Sequence, residues 1–137
     1  MDYLLELVLV PVTDVDKAKA FYTDQLGFHV DVDHKAGDNF RVVQLSPPGS
    51  ACSVAMGVGI TDAEPGSVRG LHLVVTDIEA ARAELVGRGA AVSDIRHMTP
   101  TGWQPGVAPD RGDYESFADF PDPDGNTWVL QERGHRR

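Results

Sequence analysis

Histidine is the side chain best suited to take and return a proton near neutral pH. His72 stands inside an apolar, strand-like run, Gly70-Leu71-His72-Leu73-Val74-Val75. Alternate strand side chains face opposite ways, so His72 lies back to back with Leu71 and Leu73. With the leucines packed inward, His72 faces a ligand as hydrogen-bond donor or general base; the alternative is a satisfied strand histidine. Gln131, in Thr127-Trp128-Val129-Leu130-Gln131, falls on the corresponding face and offers an amide to a ligand carbonyl. Arg41 and Gln44 share the run Phe40-Arg41-Val42-Val43-Gln44-Leu45 at odd separation, so at most one of them meets a ligand. For Arg41 a surface ion pair is the competing role. Trp103 offers a flat ring for stacking, or else docks on its own loop. It lies in Met98–Asp113, a stretch rich in proline and glycine and long enough for a lid. Asp110, Arg111 and Asp113 in that stretch read as solvated charges.

Other chemistries lack their residues. Ser53 and Ser116 sit in no nucleophile signature. The Gly57–Gly59 pair precedes no helix start and reads as a strand end rather than a phosphate cradle. Cys52 is the single cysteine, placed among small and apolar residues. It permits no internal disulfide and points to a reducing, cytoplasmic setting. The formal net charge of -9 argues against nucleic acid and anionic membrane as partners, since both call for a basic footprint. The first ten residues lack the basic start of a secretory signal, and no apolar run has the length of a membrane span.

The elements that position these residues are announced by an internal repeat. Val12-Thr13-Asp14-Val15-Asp16-Lys17-Ala18-Lys19-Ala20 matches Val75-Thr76-Asp77-Ile78-Glu79-Ala80-Ala81-Arg82-Ala83 at a constant offset. Each copy opens with an apolar run, and a Thr-Asp step then begins an alanine-rich helix. Thr76 with Glu79, and Thr13 with Asp16, fit the capping box. Val15, Ala18, Phe21 and Tyr22 fall at helical spacing in the first copy, and Ile78, Ala81 and Leu85 in the second. Gly27 and Gly89 are placed to end the helices. Strands are expected at 28–34, 40–45 and 52–58, and again at 91–97, 115–120 and 127–132. The chain therefore reads as α+β, one domain of two tandem βαβββ modules. Module 1 covers about 4–60, a linker 61–67, and module 2 about 68–133. Two such sheets, each covered by its helix on one side, can enclose a cleft for a small ligand.

The Phe21-Tyr22…Leu26-Gly27-Phe28 stretch, the two Thr-Asp helix starts and the Asp122-Pro123-Asp124-Gly125-Asn126 turn together resemble the vicinal oxygen chelate superfamily, the glyoxalase/bleomycin-resistance/dioxygenase group. The resemblance covers nearly the whole chain. It implies a U-shaped mixed sheet with a cleft and a homodimer, and it leaves open metalloenzymes and metal-free antibiotic binders. The group's metal ligands would fall at Leu7, Gly70, Val129 and one unassigned position in 52–58, a segment without His, Glu, Asp or Gln. Leu7, Gly70 and Val129 offer a divalent ion no side-chain donor, so no metal or other cofactor is expected. A slip of two residues would offer His72 and Gln131. The function expected is binding of a small organic molecule, an antibiotic or a metabolite. The alternative is a lyase or isomerase, either metal-free with His72 as base or with metal recruited through His72 and Gln131.

Overall fold

The computed structural model describes residues 1–136. Their contacts divide the chain into two compact units. One comprises residues 1–68 with 122–126, the other residues 69–121 with the chain from Thr127 on.

The first unit runs β1 (Leu7–Leu9), α1 (Val15–Ala20), β2 (His29–Lys35), β3 (Arg41–Ser46) and β4 (Ser53–Val58). Its sheet has the order β1-β4-β3-β2, with β1 parallel to β4 and the other pairs antiparallel. The parallel pair needs a long connection, and α1 carries the chain from β1 to β2 at the far edge before β3 and β4 return. Asp14, not Thr13, caps α1: its side chain accepts from Lys17 N at 3.0 Å. The expected capping box is therefore displaced by one residue, because the Thr13 hydroxyl is engaged by Asp124 at 2.8 Å. After Ala20 the helix widens into a π turn, Phe21–Gln25. Gly27, at φ 72°, ends it in the left-handed region that glycine reaches without strain. Val15, Ala18 and Tyr22 are buried as their spacing requires, with Val43, Leu45, Val54 and Met56 beneath them.

The second unit runs β5 (Leu71–Val75), α2 (Ile78–Gly87), β6 (Arg96–Thr99), β7 (Gly102–Pro105), β8 (Ser116–Pro121) and β9 (Thr127–Glu132). Its sheet order is β5-β9-β8-β6-β7, and β5 is parallel to β9. Asp77 caps α2 by accepting from Ala80 N at 3.0 Å, again one residue beyond the threonine. Gly89 follows the helix at φ 93°. Two expectations are corrected here. The 91–97 segment pairs as a strand only at its end, in β6; before it, Arg82 of α2 takes the Ser93 carbonyl at 2.7 Å and the Val92 carbonyl at 3.4 Å. The 98–113 stretch is not all loop: β6 and β7 form a hairpin in which Met98 pairs with Trp103. Pro105 is tolerated because β7 is an edge strand.

The two helical units thus repeat one topology, βαβββ, with a single further edge strand, β7, added to the second copy. Each sheet has a helix-covered face and an open one. Among the described residues no helix is long and apolar enough to cross a membrane.

Candidate functional site

Register assigns every candidate to a face. In the second unit His72 pairs with Val129, Val74 with Gln131, Gln131 with Phe117, Asp119 with Val129 and Phe117 with Arg96. Directly paired residues point the same way, so these side chains, with Met98 and Trp103, share one face. The opposite face carries Ala118, Phe120, Trp128, Leu130 and Glu132, all buried. Strand alternation therefore puts His72 and Gln131 on the open face. Gln44 also lies on the open face of its sheet, level with Ala55 and Val32.

Arg41 does not. It lies on the α1 side, with Nη1 2.7 Å from Asp16 and Nη2 3.0 Å from Asp33. The Arg41 guanidinium, with help from the Lys19 ammonium, holds the Asp33 carboxyl far below the usual range. Arg41 lines a concavity of about 340 Å³ with Thr13, Asp16 and Lys35, on the side away from Gln44. The odd spacing of Arg41 and Gln44 allowed only one of them on the open face; Val43 and Leu45 are buried on the helix side, so Arg41 shares their face and meets the acids of α1 and β2 there.

The open face of the second unit deepens into a concavity of about 500 Å³. Its walls include Met98, Trp103, Pro109, Tyr114, Glu115 and Phe117. The Trp103 ring meets Phe117 edge to face at 5.5 Å, and the Arg96 guanidinium lies 4.9 Å from its centroid. Arg96 is held in turn by Asp119 at 3.3 Å. Met98, Trp103 and Tyr114 are each about half exposed (53%, 48% and 50%), a cluster of large apolar groups in contact with water. Glu115 is the acid of the wall. Its hydrogen bond with Asp110 pushes its pKa above the ordinary glutamate value.

His72 Nδ1 lies 2.7 Å from the Gly70 carbonyl. A carbonyl only accepts, so Nδ1 carries the proton in this contact and Nε2 is the basic nitrogen of the neutral ring. Gln131 Nε2 donates to the Tyr114 carbonyl at 3.3 Å, which fastens the segment bearing Tyr114 to β9. His72 and Gln131 lie on diagonal positions of β5 and β9 and have separate partners. The serines have structural partners as well. Ser53 Oγ is 2.6 Å from Ser46 Oγ, and Ser116 Oγ accepts from Ala108 N at 2.9 Å.

Register also locates the position left open in β4. Leu9 pairs with Ala55 as His72 pairs with Val129, so Ala55 is the counterpart of Val129. The four positions at which the resemblance puts metal ligands are Leu7, Ala55, Gly70 and Val129, and their side chains do not fit a divalent cation. A different donor set gathers at the start of α2, where Asp77, Glu132 and His135 bring ligand atoms within 4.8 Å of one another. That cluster already surrounds a cation. Arg111 Nε and Nη2 reach the two Glu132 oxygens at 2.7 and 2.6 Å, and Nη1 reaches Glu79 at 2.8 Å. Glu132 is fully buried and also accepts from Ile78 N at 2.9 Å. Arg111 and this amide hold its carboxyl below the ordinary range. Arg111 is thus no solvated loop charge, and Asp113 too has a partner, accepting from Gly134 N at 2.7 Å.

Neither Arg111–Glu132 nor the wall residues Met98, Tyr114 and Phe117 stands out in the sequence. Alternation along 115–120 places Phe117 opposite Ala118 and Phe120, a usable signal. The union of Arg111 with Glu132 depends on a loop path that no local pattern specifies.

Two tandem βαβββ units with helix-covered and open sheet faces define the class. A profile of the Glyoxalase/Bleomycin resistance protein/Dioxygenase superfamily matches residues 4–130, and the chain belongs to that family. Among solved structures, an antibiotic binding protein, TnmS3 of Streptomyces sp. CB03234, is 33% identical. Its TM-score is 0.74, with 96% of this chain and 97% of that one covered. A glyoxalase/bleomycin resistance protein of the same Streptomyces is 35% identical, at a TM-score of 0.70 and with 92% and 97% covered. A family member from Sphaerobacter thermophilus DSM 20745 is 30% identical, at 0.74 and with 96% and 98% covered.

Proposed function

We propose that this protein binds and sequesters a flat, largely apolar organic molecule, an antibiotic or a metabolite, without a metal ion. The carrying observation is the concavity of about 500 Å³ walled by Met98, Trp103, Tyr114 and Phe117. Its size suits a small organic ligand, and its few polar groups suit orientation more than chemistry. The donor-free side chains at Leu7, Ala55, Gly70 and Val129 support the metal-free part. The likeness to an antibiotic binding protein at 33% identity supports the ligand class. In this role Trp103 stacks on the ligand, Gln131 steadies the wall that carries Tyr114, and His72 and Gln44 are polar points on the open faces. We further infer a homodimer, from family membership, and a reducing cytoplasm, from the single cysteine.

The test is a thermal-shift and tryptophan-fluorescence screen of planar aromatic antibiotics and metabolites, since a ligand of the native state raises apparent stability. Trp103→Ala is expected to weaken a hit by roughly tenfold, the scale of one lost aromatic contact of about 1.5 kcal/mol. Equal affinity in wild type and Trp103→Ala would place the ligand elsewhere. Stoichiometric metal retained through purification would end the metal-free reading. One observation favours a second role: the Gly70 carbonyl fixes His72 with Nε2 as the basic nitrogen, the form a general base needs. In that case His72→Ala abolishes turnover and spares binding.

A further inference from the structure

Resting on the ligand cavity proposed above, we propose that Arg111 is a positioning residue for that cavity. It locks the strap of residues 106–115 against β9, and so sets how fast a bound molecule escapes.

The strap leaves β7 and returns to β8 with no ladder of its own, yet it carries Ala108, Pro109, Tyr114 and Glu115 of the cavity wall. Segments with so few backbone bonds open easily unless they are tied down. The ties here are separate points. Gly106 N donates to Ile95 O at 2.8 Å, Ala108 N to Ser116 Oγ at 2.9 Å, and Tyr114 N to Glu132 O at 2.7 Å. Between them lies Arg111, whose guanidinium forks onto both oxygens of Glu132 and reaches Glu79.

Two features make Arg111 the lock rather than one tie among several. First, its anchor is rigid: Glu132 is fully buried on β9 and is also bound to the first amide of α2. Second, the backbone is held against its preference. Arg111 stands at φ 52° and Tyr114 at φ 64°, in the left-handed region that non-glycine residues seldom occupy. Such a conformation persists only where the surroundings over-determine it. Releasing the guanidinium removes the restraint at Arg111 and loosens the strap between Ala108 and Tyr114, the stretch that carries Pro109 of the wall, while Tyr114 itself stays tied to β9 through Glu132 O and Gln131. A lysine cannot copy the fork, because it offers a point charge without the bidentate geometry.

The experiment uses Arg111→Met and Arg111→Lys with a neutral flat dye, Nile red, as probe. Amide exchange of 106–115 is followed by mass spectrometry without dye, and dye dissociation by stopped flow. In Arg111→Met both rates are expected to rise by a factor of about ten, the equivalent of one charge-assisted hydrogen bond, while β8 and β9 keep their protection. Arg111→Lys is expected to fall between Arg111→Met and wild type. Unchanged strap exchange in Arg111→Met overturns the lock. Faster strap exchange with unchanged dye release overturns the role in retention. Equal dye affinity in Trp103→Ala overturns the cavity reading itself, and the exchange measurement still tests the lock independently. Arg111→Met leaves a buried charge at Glu132. The double variant Arg111→Met/Glu132→Gln keeps an acceptor for Ile78 and is expected to give the same two rates if the single variant folds poorly.

Discussion

Removing one oxygen atom, in Tyr22→Phe, is expected to lower stability by about 1.5–3 kcal/mol, the usual worth of a hydrogen bond to a charged group. Tyr22 is fully buried and Asp122 is 4% exposed. The phenol donates to Asp122 Oδ2 at 2.7 Å. The same carboxylate accepts from Asn126 Nδ2 at 2.8 Å and from the amides of Asp124 and Asn126 at 2.9 Å each. Those three donors stay in place in the variant, so the loss is that of a single charged bond and not of the whole turn. The ring also stays, with its contact to Phe28 at 5.6 Å, so no apolar packing is lost. At an unfolding entropy of about 2.1 cal/mol/K per residue, the 137-residue chain loses about 5–10 °C in Tm. Calorimetry or far-UV circular dichroism reads this directly. Tyr3→Phe, at a residue 88% exposed, is the control and is expected to stay within about 0.5 kcal/mol of wild type. A Tyr22→Phe protein melting within a degree of wild type would refute the reasoning, because the bond would then be no better than one to water.

Three more outcomes follow from the geometry. A Cβ on Gly57 would lie 1.8 Å from the Arg41 carbonyl oxygen, so Gly57→Ala is expected to cost about 3 kcal/mol in urea denaturation. Gly87, at the end of α2, has nothing within 4 Å of the equivalent position, and Gly87→Ala is expected to gain about 0.5–1 kcal/mol in the same assay. Glu132 has a folded pKa below its unfolded value, chiefly through Arg111. Its stabilisation is therefore present above the ordinary glutamate value, about 4.3, and is lost as pH falls through the lowered folded value. Wild type is expected to lose Tm across that acid range more steeply than Glu132→Gln; parallel pH profiles by calorimetry would count against the pairing.

Much of the architecture is legible in the sequence because duplication writes it twice. The Thr-Asp helix starts, the glycines at 27 and 89 and the alternation of 71–75 and 127–132 each reflect a local rule. What is not legible depends on partners distant in sequence. The caps fall on Asp14 and Asp77 rather than on the preceding threonines, and at α1 the Thr13 hydroxyl is taken by the distant Asp124. Residues 91–95 form no ladder, and their partners come from afar: Arg82 takes the carbonyls of Val92 and Ser93, and Gly106 N takes that of Ile95. Period-two alternation separates Arg41 from Gln44, yet it does not say which face of β3 lies beneath the helix; the burial of Val43 and Leu45 decides that. The cavity wall was half visible: Trp103 stood out by type, while Tyr114 enters through a left-handed backbone that no propensity favours.

The membership of residues 122–126 in the first unit has a consequence for synthesis. Asn126 Nδ2 donates to the Pro11 carbonyl across 115 positions, and Asp124 meets Thr13 across 111. A ribosome therefore adds more than a hundred residues after Pro11 and Thr13 before the first unit can gain these polar contacts. The first sheet has to wait, incomplete, for a turn translated that much later. Long-range closure of this kind slows folding. It also makes residues 1–68 a poor candidate for independent expression, since the fragment lacks the acid that receives the buried Tyr22 hydroxyl.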